Sequence, residues 1–91
     1  MIETSVVLRI VRQCLNTQTK DLELEDKFEA APGITVCKLS RGSSNASLIL
    51  IAFNEIKATI ISISIENTSK SLLDGEDLVK LFCLKVKAQL K

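Results

Sequence analysis

The sequence predicts an all-α domain, a small four-helix bundle, and three observations carry that expectation. Apolar residues recur at helical spacing near both ends of the chain, over 3–16 and over 75–90. Between them lies the longest apolar stretch, in which Leu48, Ala52, Ile56 and Ile60 share one stripe of a helix over 47–60. At 91 residues the chain builds one core and one domain, 1–91, so both ends must pack against that stretch.

The first helix spans 3–16. Val6, Val7, Ile10, Val11, Cys14 and Leu15 form its apolar side, Arg9, Arg12 and Gln13 the other. Glu3, Thr4 and Ser5 supply the start signal, and Asn16-Thr17-Gln18-Thr19 ends the periodicity. Lys20 to Ala31 is the most charged part of the chain and reads as a long connecting loop, pinned to the core by Leu22, Leu24 and Phe28. Pro32-Gly33 breaks the chain, and Arg41 to Asn45 reads as a second loop. In the helix over 47–60, Leu50, Ile51 and Phe53 widen the stripe, with Ser47 or Asn45 as N-cap. The last helix, 75–90, starts at the N-cap Asp74 with Glu76 and Asp77 in its first turn. Its buried face is Leu78, Leu81, Phe82, Val86 and Leu90, and lysines crowd the rest.

A second architecture competes. Ile61, Ile63 and Ile65 alternate with Ser62, Ser64 and Glu66, which is the period of a strand. On that reading the domain is α+β, a helix, an antiparallel sheet and a final helix. Its strands lie near 34–40, 46–54 and 57–66, with turns at Ser43-Ser44-Asn45 and Asn54-Glu55.

Composition excludes several functions. A net charge of +1 with mixed signs, and three phenylalanines as the only aromatics, argue against a nucleic-acid partner. No apolar run reaches the length that spans a bilayer, and the start lacks a signal-peptide pattern, so no membrane partner and a cytoplasmic location are expected. The absence of His removes Ser-His and Cys-His nucleophile pairs, so the chain is expected not to be an enzyme. Cys14, Cys37 and Cys83 are far apart and read as free thiols used as small core residues; no metal site is expected.

Two separated segments resemble acyl and peptidyl carrier proteins. Residues 6–34 are similar to the family's first helix and acidic loop, with Leu24, Asp26, Phe28 and Gly33 in the loop's characteristic places. Residues 61–87 are similar to its closing Ile-rich loop and last helices. The resemblance implies a bundle of the acyl-carrier type, with helices near 3–16, 47–60, 66–72 and 75–90. Val7, Ile10, Val11, Phe28, Ile51, Phe53, Ile56, Leu78 and Phe82 would face its interior. It also implies a 4'-phosphopantetheine arm, attached to a serine at a helix N-terminus, where the dipole suits a phosphodiester. The arm would hold an acyl or aminoacyl group as a thioester for fatty-acid, polyketide or related biosynthesis. A phosphopantetheinyl transferase and acyl-transferring or synthase enzymes would be the partners of a monomeric carrier.

The family's Asp-Ser-Leu motif falls on Thr35-Val36-Cys37 when counted from Phe28, and on Ala46-Ser47-Leu48 when counted from the second apolar helix. Ser47 is then the attachment residue, with Ala46 in place of the acid and Ser44 as the competing serine. The alternative α+β fold implies a different role, a non-enzymatic interaction or dimerisation module without a prosthetic group, working through a sheet edge or an apolar face.

Overall fold

Period-two alternation governs the middle of the chain. The computed structural model describes residues 3, 5, 6, 9, 10, 13, 22–41 and 44–90. Four strands, β1 (Leu22–Ala31), β2 (Ile34–Arg41), β3 (Ser44–Asn54) and β4 (Thr59–Asn67), form one antiparallel sheet in chain order. One helix follows, α1 (Gly75–Gln89). The all-α four-helix bundle of the acyl-carrier type is thereby corrected to α+β. The helix expected over 47–60 is most of β3, a turn and the start of β4; the short helix expected over 66–72 is the end of β4 and the turn after it. The alternative strands near 34–40, 46–54 and 57–66 match β2, β3 and β4, whereas the loop expected over Lys20–Ala31 is mostly the strand β1.

The apolar run is a strand because both of its faces are covered. Leu48, Leu50 and Ala52 point to one side and join Ile34, Val36 and the α1 residues Leu78, Phe82 and Val86. Ile49 and Ile51 point to the other and join Leu22, Cys37 and Leu39. A strand buried on both faces loses its polar alternation, so its sequence looks like that of a buried helix. In this register Ile56 is no core residue: it sits in the β3–β4 turn, 84% exposed.

The face opposite α1 is as dry as the α1 face, since Leu39 and Ile51 are fully buried there. Something must cover it. Among the described N-terminal residues Ser5, Val6, Arg9, Ile10 and Gln13 are helical, in accord with the expected first helix. Val6 and Ile10, one turn apart, are half-buried while Ser5, Arg9 and Gln13 are exposed, so this stretch presents an apolar stripe suited to that face. Val7, Val11, Cys14 and Leu15 lie outside the described residues.

Turns fix the register. Pro32-Gly33 joins β1 to β2, and Gly33 has φ +76°, the left-handed value that a Pro-Gly turn asks of its second residue. At the same end of the sheet, Asn54 Oδ1 accepts from the N–H groups of Ile56 and Lys57, each at 3.0 Å, and Ala58 closes the β3–β4 turn at φ +53°. The Glu55 N–H donates to Gly33 O at 3.0 Å, tying the two turns together. The fully buried Thr35 hydroxyl donates to Glu55 Oε1, also at 3.0 Å.

α1 starts as its sequence demands. Asp74 is the N-cap, its Oδ1 accepting from the Asp77 N–H at 2.8 Å, and Glu76 and Asp77 occupy the first turn. Of its five expected buried residues, Leu78, Phe82 and Val86 are buried; Leu81 and Leu90 are 40% and 45% exposed. Among the described residues no helix is long and apolar enough to cross a membrane.

Candidate functional site

Ser47, the expected attachment residue, lies inside β3, half-buried and opposite Asn67 of β4. It is not at a helix N-terminus. It lines a shallow cleft with Lys38, Thr68 and Gly75, in which the Lys38 ammonium is paired with the Glu25 carboxylate at 3.2 Å. The competing serine, Ser44, opens β3 opposite Arg41.

Neither of the described cysteines carries an exposed thiolate. Cys37 sits among Leu39, Ile49 and Ile51, and burial pushes its thiol up from 9.0 to about 11, Lys27 lowering and Glu55 raising it further. Burial also raises Cys83, against a smaller lowering by Lys87. Both are free. They serve as packing residues, and Cys14 lies outside the described residues. Among those residues no cluster of His, Cys, Asp and Glu has the arrangement of a metal site.

The two edges of the sheet differ sharply. An edge strand presents a row of backbone N–H and C=O groups that another chain can pair with, and proteins guard such edges with charge and bulges. β1 is guarded. Its sequence LELEDKFEAA carries four acids and a lysine, and register shifts fall between Leu24 and Asp26 and between Glu29 and Ala31. The first shift also turns the strand over: Leu24 faces the cluster away from α1, whereas Phe28 faces the α1 side.

β4 has fewer of these guards. Its sequence TIISISIEN holds one charged residue, Glu66, near its end. Its irregularity lies at its start, where Ala52 pairs with Ser62 but Phe53 with Ile60, leaving Ile61 as the extra residue. From Ser62 to Asn67 the ladder with β3 is regular. Ile63 packs partly on the cluster opposite α1, and Ile65, opposite Ile49, is 61% exposed.

On the α1 side, β4 borders a cleft of about 170 Å³. Ser62, Ser64 and Glu66 line it from the strand, Leu81, Lys85 and Gln89 from the helix. The Ser64 hydroxyl donates to Glu66 Oε1 at 3.0 Å, so polar groups along the edge are oriented before any partner arrives. Leu81 and Leu84, 40% and 64% exposed, continue the apolar surface along the helix.

The Ile-Ser alternation carries the strand signature of β4, whereas the charged stretch Lys20–Ala31, read as a loop, hides β1. Without β1 the contrast between a guarded and a less guarded edge was not visible. No family model, no curated protein and no solved structure matches the chain.

Proposed function

We propose that the chain is a protein-interaction module that works by strand addition: an extended segment of a partner pairs with the outer edge of β4. The observation that carries this reading is the asymmetry of the edges. Four acids and two register shifts guard β1, while β4 offers a regular apolar-and-serine ladder with Ile65 standing exposed. Main-chain hydrogen bonds would supply affinity, and alternate side chains would supply specificity. The partner residues on one face would meet Ile63 and Ile65, and those on the other would enter the cleft beside Leu81 and Lys85.

The carrier reading relied on a helix beginning at Ser47, and with a strand in that place it loses its structural support. The strand-addition reading is tested by panning a random peptide library against the immobilised protein and mapping the selected peptides by amide chemical shifts. Binders should alternate apolar and polar residues and shift the amides of Ser62 to Glu66. Binders that leave β4 untouched, or a library that yields none, would refute it.

A further inference from the structure

Resting on that reading, we infer that the strand added to β4 is the β4 of a second copy of this chain. The two strands pair antiparallel about a two-fold axis at Ser64, making one eight-stranded sheet.

Three observations select this occupant. The first is closure. Pairing β4 with β4 leaves only the guarded β1 edges at the two ends of the joined sheet, so growth stops at two copies. Pairing β1 with β1 would oppose four acids to four acids. Pairing β4 with β1 would be head-to-tail, giving a ring or an open filament in place of a dimer, against the two register shifts of β1.

The second is register. With the axis at Ser64, Ile63 stands opposite Ile65 of the second copy, twice by symmetry, and Ser62 opposite Glu66. The Ile pairs lie on the face away from α1, where Ile63 is already packed and Ile65 is 61% exposed. The Ser62 hydroxyl meets a carboxylate acceptor, so the central pairs from Ser62 to Glu66 have partners of matching chemistry. An axis at Ile63 would instead oppose Ile65 to Ile61, the extra residue of the irregularity, which projects to the α1 side. An axis at Ile65 also stays within the regular part of β4 but would oppose Ile63 to Asn67, so within that part the Ser64 axis is the one that pairs Ile with Ile twice.

The third is size. Residues 61–67 overlap in this register, a seam of ~23 Å at ~3.3 Å per residue. A strip of that length as deep as the shortest extent of the molecule, 19 Å, is ~440 Å² per copy or ~880 Å² in total, below the ~1,000 Å² of a stable specific interface. The dimer is therefore reversible and depends on concentration. On the α1 side both helices lie on one face of the joined sheet, each packed on residues of its own four strands. Leu81 and Lys85 of both copies line the cleft between them.

Sedimentation equilibrium of the full chain under reducing conditions tests the pairing. The mass should rise from the 10.0 kDa of one chain toward twice that value as concentration climbs from low micromolar to near-millimolar, and stop there. Ile65→Lys, a change at an exposed position, should hold the protein at 10.0 kDa with an unaltered far-UV circular dichroism spectrum. Cross-linking tests the register, in a chain with Cys14 and Cys83 changed to Ser and the buried Cys37 kept. Ser64→Cys places its two copies within the span of a disulfide and should give a covalent dimer on mild oxidation. Ser62→Cys places them four residues apart along the seam and should not. A mass that stays at one chain, or grows past two, overturns the inference, as does cross-linking at 62 in place of 64. A monomer whose β4 still binds library peptides overturns this inference alone, whereas library binders that miss β4 overturn strand addition itself.

Discussion

Replacing Ile51 by Ala tests whether the sheet is buried on both faces. Ile51 and its neighbour Leu50 point to opposite sides of β3, and each is at most 2% exposed. Truncating either to Ala removes three carbons, worth ~2.4 kcal/mol at ~0.8 kcal/mol per buried methylene. The unfilled cavity adds to this, for a total of ~3–4 kcal/mol. If the face away from α1 were wet, Ile51→Ala would cost less than ~1 kcal/mol. A domain of this size is stable by ~5–14 kcal/mol, so both substitutions are large without always being fatal. Urea unfolding followed by circular dichroism reads the effect: with a slope of ~1.3 kcal/mol per molar, the midpoint should fall by ~2–3 M in each variant. Ile51→Val, at ~1 kcal/mol, keeps the measurement in range if the wild type is at the weak end. A large loss for Leu50→Ala beside a negligible one for Ile51→Ala would refute the two-sided core.

Four further outcomes are expected from the same unfolding assay. Gly33→Ala should destabilise by ~1–2 kcal/mol, the cost of a left-handed residue with a Cβ; the new Cβ also comes within 2.9 Å of Ile56 Cδ1, but that exposed side chain can swing away. Ala58→Gly should be neutral to stabilising by up to ~1 kcal/mol, because relief at φ +53° outweighs the added freedom of the unfolded chain. Asp74→Ala should cost ~1 kcal/mol through loss of the bond to the Asp77 N–H, and Asp74→Asn should retain most of it. Cys37 binds its proton more tightly folded than unfolded, so its contribution is present below pH 9.0 and is lost as pH rises toward about 11. Stability should therefore fall over that window, and less steeply in Cys37→Ala.

Which parts of the fold were legible follows from how each strand is buried. α1 was read in full because it is amphipathic and capped, although Leu81 and Leu90 flank its buried face and stay partly exposed. β3 was misread as a helix because both of its faces are apolar, which erases the alternation that marks a half-buried strand. The β-branched density of Ile60 to Ile65 was the correct signal and was outweighed by the apparent stripe through Leu48, Ala52, Ile56 and Ile60. That stripe joins residues from two strands and a turn: Leu48 and Ala52 face α1, Ile60 faces the other way, and Ile56 is in solvent. β1 was hidden by its own guards. Leu22, Leu24 and Phe28 are all even-numbered, yet the register shift after Leu24 sends Phe28 to the opposite face, so no single period describes the strand. The resemblance to carrier proteins rested on turn and cap residues that an α+β chain uses as well. Ser47 lies within β3 and not at the helix N-terminus that the resemblance implies.

Concentration-dependent amide exchange of β4 tests the central claim, that this edge is the working surface, most directly. At low micromolar concentration the outward N–H groups between Ser62 and Glu66 should exchange quickly, as unpaired edge donors do. Near-millimolar concentration should slow them, while the outward groups of β1 remain fast at both. Exchange in β4 that does not change with concentration, or protection that appears along β1 instead, would contradict the account.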